Sequence, residues 1–228
     1  MKLDVYLKGE VIDLCIPTRK FAEKSDWYSW FNDQKVTRYL RHGKFPNTPK
    51  RQLDFFEGGE DRLILIISDK NKYIGVVSLS QIDLKKKEAE LGIVINKQLV
   101  KNYSLLMPLE SVARISQHGF DSLGLERIYA GQHVGLSGWQ QRLELLGYRL
   151  EGIRRRGFVK GREVADTIVI AAVYDDYQEI RKRRGEYWDS AKKMEKRIAH
   201  LPPKKFFEDL SLYLAKQGNA YYKRVFNL

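Results

Sequence analysis

Long apolar runs are missing from this chain of 228 residues. The two longest, LILII at 63–67 and TIVIAAV at 167–173, fall far short of the roughly 20 residues that a membrane-spanning helix needs. No membrane span is therefore expected. The opening MKLDVYLKGEVIDL scatters charges where a secretion signal would carry an apolar stretch and a small-residue cleavage site, so a cytoplasmic protein is expected. Cysteine is nearly absent as well. Cys15 stands alone, which excludes an internal disulfide and a cysteine-rich zinc site. In IDLCIPT, alternation sets Leu14 and Ile16 opposite Cys15, which reads as a small buried strand residue rather than a nucleophile. His42, His118, His133 and His200 lack metal-ligand spacing, and no metal is expected.

What the chain does have is apolar residues, at 43%, enough for one sizeable core, and a formal net charge of +12. Residues 176–228 carry thirteen Lys and Arg against seven Asp and Glu, which places half of the net charge in the tail. Such a bias attracts nucleic acid, an anionic membrane surface or an acidic small molecule; a solvated surface is the plainer alternative.

Periodicity and turn residues predict the element order. A strand, EVIDLCIP, ends at Pro17 and leads into helical TRKFAEKSDWYSWFNDQKV. A loop with Gly43, Pro46, Asn47 and Pro49 follows, then a short helix closed by Gly58. RLILIISD and YIGVVSLSQID read as strands, and Lys85, Lys86 and Lys87 turn the chain into a third, AELGIVIN. The next helix places Leu109, Val112, Ile115 and Phe120 at core spacing and stops at Gly124. LERIYAGQ is a strand, SGWQQRLELLG a helix, and YRLEGIRRRGFV and GREVADTIVIAAV the closing strands. The expected fold is mixed α/β (α+β), a mostly antiparallel sheet flanked by helices, over residues 1–175. A basic helical extension is expected over 176–228, with helical spacing in Phe206, Phe207, Leu210, Tyr213 and Leu214 and again in Tyr221, Tyr222, Val225 and Phe226.

This order, together with DWYSWFNDQKVTRYL, AELGIVI, GFDSLGLERIYAG and LELLGYRLEGIRRRGFVKGREVADTIVI, resembles the GNAT superfamily of acyl-CoA N-acyltransferases. The likeness is to the branch of ribosomal-protein and amino-sugar acetyltransferases, and it covers residues 1 to about 175. It implies acetyl-CoA, or another acyl-CoA, in a cleft where AELGIVIN and LERIYAG splay apart. The backbone of Ile93, Val94 and Ile95 would pair with the pantetheine arm. The turn Lys101, Asn102, Tyr103, Ser104, Leu105 and Leu106 would meet the pyrophosphate at the start of a helix, where free N–H groups and the helix dipole favour an anion.

Three departures from the family pattern stand out. The glycine positions of the family turn fall on Ser104, Leu106 and Pro108, and its opening Arg or Gln falls near Tyr103. The Asn that touches the cofactor falls near Leu136, and the Tyr that protonates the thiolate falls near Leu143. Amides 104–107 would still face an anion if the helix begins there, with Pro108 in its first turn and Lys101, Asn102 and Ser104 adding donors.

The resemblance also implies a base at Glu90, with Glu88 two residues away on the same strand face as the fallback. A solvent-facing carboxylate paired with a nearby lysine is the plainer reading of Glu90. Trp30, Asn32, Arg38, Tyr39 and His42 fall where the family covers its acceptor, although Trp27 and Trp30 read first as core, which leaves Arg38 and His42 the better ligand contacts. Arg154, Arg155 and Arg156 could grip phosphates or sit solvated on a hairpin.

The first functional reading is therefore transfer of an acetyl group to a primary amine, on a small molecule such as a nucleotide-linked amino sugar of surface-glycan assembly. A protein N terminus or an antibiotic is the alternative acceptor. A third reading is a GNAT-like binding module that engages RNA through its basic tail. Self-association as a homodimer, through the tail or a sheet edge, is the remaining partner expectation.

Overall fold

The structure is a computed structural model that describes residues 1–41, 43–59 and 61–228. Eight strands form one sheet: β1 (Val5–Lys8), β2 (Asp13–Cys15), β3 (Leu63–Ser68), β4 (Tyr73–Asp83), β5 (Glu88–Ile95), β6 (Arg127–His133), β7 (Arg149–Lys160) and β8 (Glu163–Val173). Their spatial order is β1-β2-β3-β4-β5-β6-β8-β7. Every neighbouring pair is antiparallel except β5 and β6. A parallel pair needs a crossover, and α5 (Leu106–Asp121) supplies it. The mixed, mostly antiparallel sheet flanked by helices is the architecture expected from the sequence. The first strand differs in detail, because EVIDLCIP contributes only Asp13–Cys15 and pairs with β1, which the sequence pattern had not marked.

One sheet face carries α5 and the main core, in which Leu79, Ala89, Leu109, Val112, Ile115 and Ile128 are fully buried. The other carries α1 (Arg19–Lys24), α2 (Trp27–Trp30), α3 (Gln34–Thr37) and α4 (Pro49–Glu57). These helices start where the sequence supplies caps. Thr18 Oγ1 accepts from Phe21 N at 3.1 Å, and Thr48 Oγ1 accepts from Arg51 N at 3.2 Å with Pro49 at the first helical position. Phe21, Trp27 and Trp30 join Cys15, Ile66 and Val76 in a second core. Leu14 and Cys15 thus serve opposite cores, as alternation requires, and burial raises the Cys15 thiol pKa to about 11. A thiol so shielded is a packing group.

After β6 come α6 (Ser137–Leu143) and a short 3-10 turn that ends at Gly147, whose φ of 80° is left-handed and suits glycine. Beyond β8, α7 (Tyr174–Arg184) and α8 (Ala191–Ala199) lie against the same core: Tyr177, Tyr187, Trp188 and Met194 belong to it. A two-pronged ion pair, Arg197 to Asp189 at 2.7 Å on both arms, ties α8 to the strap before it and lowers the Asp189 pKa to about 2. The helical extension expected from residue 176 therefore contributes its first half to the main core, while α9 (Phe206–Tyr213) touches that core only through Phe207 and α10 (Asn219–Val225) stands outside it. Among the described residues, no helix is long and apolar enough to cross a membrane.

Candidate active site

The parallel pairing of β5 and β6 runs through Glu88↔Arg127, Ala89↔Ile128 and Glu90↔Tyr129, where the register ends. Both strands continue, β5 to Ile95 and β6 to His133, each held only from its outer side, by β4 and β8. The two strands therefore splay. Their facing backbone between Leu91 and Ile95 is the part of the sheet with unclaimed donors and acceptors, and a buried edge of that kind needs a partner. Ile93, Val94 and Ile95 lie along it, all half-buried.

On the α5 side, the turn 96–105 crosses the mouth of the splay. Asn96 is buried, and its Oδ1 accepts from Gln98 N at 3.1 Å, which opens a 3-10 turn over Lys97–Leu99. The Lys97 ammonium stands 4.8 Å from the centre of the Tyr103 ring. Burial raises the Tyr103 pKa, and the charge of Arg142 on α6 opposes that rise. Tyr103 thus packs against the Lys97 ammonium and lies within the electrostatic reach of Arg142. Lys101 and Asn102 are exposed beside it.

The helix starts at Leu106 with Pro108 in its first turn. Its leading amides are already engaged: Leu106 N donates to Ser104 Oγ at 3.2 Å, Met107 N to Ser104 O at 3.1 Å and Leu109 N to Leu105 O at 3.4 Å. Pro108 has no N–H to satisfy. Among the described residues, the amides of Ser104 and Leu105 are left without a partner within the chain. The amides free to meet an anion are therefore fewer than the sequence alone suggests, and the turn also carries the cations Lys97 and Lys101.

The opposite sheet face is polar at the splay. Glu88 and Glu90 both point to it, alternating with buried Ala89 and Leu91. Tyr129, register partner of Glu90, donates its hydroxyl to Gln81 Oε1 at 3.2 Å, and Gln81 Nε2 donates to Glu90 Oε2 at 3.0 Å. Burial, then the charges of Glu90 and Glu88, raise the Tyr129 pKa, so its phenol keeps its proton. A bidentate Arg127–Glu151 pair borders the cluster and lowers the Glu151 pKa. The floor beyond is small: Gly92 faces Ser78 on β4, and Gly131 faces Thr167 Cγ2.

Four residues past Tyr129, roughly 13 Å along the strand, His133 forms the far wall. Tyr39 lies against its ring at 4.8 Å and Phe158 meets it edge-on at 4.7 Å. His133 Nδ1 accepts from Gly135 N at 2.9 Å, which leaves the ring proton on Nε2, 3.2 Å from Glu163 Oε1 at an angle short of a hydrogen bond. Arg38 stands 5.3 Å from the Tyr39 ring centre, and Arg41 donates to Gly157 O at 3.0 Å. Tyr39 and Arg41 thus dock the 38–41 segment on His133 of β6 and Gly157 of β7.

The remaining expected residues are dispersed. Asn32 exchanges two hydrogen bonds with the Asn47 backbone, at 2.9 and 2.6 Å, and so fixes the loop. Trp30 is 5% exposed within the second core. Leu143 is buried, Leu136 is half-buried, and His42 lies outside the described residues. Tyr129, Gln81, His133, Lys97 and Arg142 were not singled out from sequence. Only Tyr129 had a visible signal, as the aromatic within LERIYAG.

A sheet parted between two parallel strands, with a helix N-terminus on one side and a carboxylate-lined trough on the other, is an arrangement that can bring two reactants together from opposite faces. Residues 18–149 match the family model of the acetyltransferase (GNAT) domain. The chain belongs to that family, and it is an acyl-CoA-dependent N-acetyltransferase. No curated protein matches it by sequence.

Among solved structures it is similar to the microcin C7 self-immunity acetyltransferase MccE in complex with acetyl-CoA and AMP (22% identity, 72% of this chain and 93% of that one, TM-score 0.60). It is also similar to a GCN5-related N-acetyltransferase from Brucella melitensis (17%, 84% and 88%, 0.63). A third similar structure is a chimera of the Vibrio cholerae spermidine N-acetyltransferase SpeG with hSSAT (15%, 75% and 99%, 0.61). At these identities the structures speak to the fold.

Proposed function

We propose that the chain transfers an acetyl group from acetyl-CoA to the primary amine of an anionic small molecule, best matched by a nucleotide-linked amino sugar of surface-glycan assembly. The observation that carries this reading is the splay beyond Glu90↔Tyr129, with unpaired strand backbone and two free turn amides on one side and a polar trough on the other. Acetyl-CoA supplies the acyl group as an activated thioester. Ile93, Val94 and Ile95 offer backbone to its pantetheine arm, and the amides of Ser104 and Leu105, with Lys97, Lys101 and Arg142, suit its phosphates.

Glu90 accepts the ammonium proton of the acceptor, which frees the nitrogen lone pair for attack on the thioester carbon; as the C–N bond forms the C–S bond breaks, and CoA leaves as its thiol with the proton that the nitrogen then sheds. Gln81, itself held by the Tyr129 hydroxyl, donates to one carboxylate oxygen, which leaves the other for the acceptor. Glu88 on the same face adds negative charge that draws an ammonium group in.

Support for an anionic acceptor comes from a cluster of cations, in which Arg41 donates to Gly157 O on β7, Lys44 lies near Lys160 of the same strand, and Arg38 stands over Tyr39. Beside that cluster a cavity of about 200 Å³ is walled by Phe31, Phe45 and Phe55. Gln52 lines it at 1% exposure with its Nε2 donor unpaired, which suits a flat ring bearing a carbonyl. MccE, similar in fold, was solved with AMP alongside acetyl-CoA.

The test is acetyl transfer to a panel of a nucleotide-linked amino sugar, the same sugar without its nucleotide, spermidine and an N-terminal peptide. The nucleotide-linked amine is expected to lead the free sugar by about 100-fold in kcat/KM, as two or three charge-assisted contacts would give. Arg38→Ala is expected to raise its KM with kcat nearly unchanged. Preference for the peptide or for spermidine would overturn the acceptor assignment while leaving the transfer chemistry standing.

A further inference from the structure

The helix formed by α9, five residues of π-helix (Leu214–Gly218) and α10 leaves its apolar side uncovered. Its root is fixed to the body, where Phe207 packs on the main core and Gln141 Nε2 donates to Pro202 O at 2.6 Å. From Leu212 to Leu228 every residue is exposed except half-buried Gly218. Phe206 is 61% exposed, Tyr222 52% and Phe226 79%. So much aromatic surface on one rod is a contact surface rather than a solvated one.

One apolar line recurs every four positions, Phe206, Leu210 and Leu214, then across Gly218 to Tyr222 and Phe226, with Leu212, Tyr213, Tyr221 and Val225 exposed beside it. In an unbroken α-helix that spacing drifts by about 40° per step, which would wind the stripe around the rod. The π turn needs about one more residue to come round, so it sets the second half back into line with the first. The stacked rings of Tyr222 and Phe226, 6.0 Å apart, continue the stripe past the turn. At its middle a Cβ on Gly218 would meet nothing nearer than Leu214, at 3.7 Å, which leaves a hollow.

The stripe reads alike from either end. Turned about Lys216, Phe206 falls opposite Phe226, Leu210 opposite Tyr222, and Leu214 opposite the Gly218 hollow, a knob facing a hole. Charge follows the same rule with opposite sign: Glu208 and Asp209 occupy the first turn, and Lys223 and Arg224 occupy the last. An antiparallel second copy would set the two acids against the two bases at both ends. A parallel copy would set like against like.

We propose that this helix is the interface for a second copy of the chain, packed antiparallel about a two-fold axis near Lys216. Within one chain Asp209 and Glu208 pair with Lys204 and Lys205. Those pairs are exposed, contribute little, and can exchange for the partner's Lys223 and Arg224. The interface stands apart from the acyl-transfer site, so neither assignment depends on the other.

The only cysteine, Cys15, is buried, so introduced thiols report without background. Light scattering on the full chain is expected to give twice the monomer mass, and Leu214→Asp with Phe226→Asp to give the monomer with its thermal transition retained. Asp209→Cys and Lys223→Cys chains, coexpressed and mildly oxidised, are expected to form a cross-linked dimer, whereas either variant alone forms none. A monomeric wild type overturns the proposal. So does cross-linking by a single variant alone, or a dimer that the paired variants fail to link.

Discussion

Glu90→Gln is expected to lower kcat/KM for acetyl transfer by about 100- to 1,000-fold near neutral pH, the range that loss of a positioned base produces. Glutamine keeps the size of the side chain and a partner for Gln81, so the trough keeps its shape while its proton acceptor is removed. The deficit should shrink as pH rises, because solvent then deprotonates a growing share of the amine and the enzyme no longer has to. A merely structural Glu90 would show no such recovery. Initial rates of wild type and variant across a pH series make the comparison. Activity within about threefold of wild type, together with a large loss in Glu88→Gln, would move the base to Glu88.

A stability effect of similar size is expected at Glu110. Its side chain on α5 is fully buried, and its carboxylate accepts from the backbone N–H groups of Glu10 at 2.7 Å, Val11 at 2.6 Å and Ile12 at 3.2 Å. Arg114 Nη2 closes the set at 2.9 Å. One side chain thus anchors the β1–β2 turn to the crossover helix. Glu110→Ala leaves the amides of Glu10, Val11 and buried Ile12, and the Arg114 guanidinium, without their acceptor, and the loss should be about 3–5 kcal/mol. For a chain of this size that is a fall of roughly 10 °C in Tm. Glu110→Gln, which keeps one carbonyl acceptor, should fall in between. A thermal transition for Glu110→Ala within a degree or two of wild type would show that water reaches those amides and that the clamp is not needed.

The sheet was legible where burial imposes a period. β3, β4, β5 and β8 alternate or run apolar because one or both faces are covered, and α5 shows its core stripe from Leu109 to Phe120. β1 was not legible because it is an edge strand with its side chains largely exposed, so no burial pattern marks it. In the site, the family resemblance pointed to Glu88 and Glu90 on one face, and the burial of Ala89 and Leu91 shows why they share it. The partners of Glu90 could not be read locally: Gln81 comes from a bulge in β4 and Tyr129 from across the crossover, joined only by the sheet register. Likewise Arg142 approaches Tyr103 from a helix far along the chain. Trp30 shows the converse, an aromatic whose local context also suits an acceptor wall but which the second core has absorbed.

The glycine-free turn is where the account is most exposed to test. In place of a glycine cradle it offers the amides of Ser104 and Leu105, the Ser104 hydroxyl and a ring of cations. Calorimetric titration of acetyl-CoA and of free CoA into the wild type and into a Lys101→Ala, Ser104→Ala variant measures this directly. The account expects micromolar binding of both ligands, weakened about tenfold in the variant as one charge-assisted contact and one neutral contact are lost. Absence of binding heat with either ligand, in a protein whose thermal transition is intact, would contradict it.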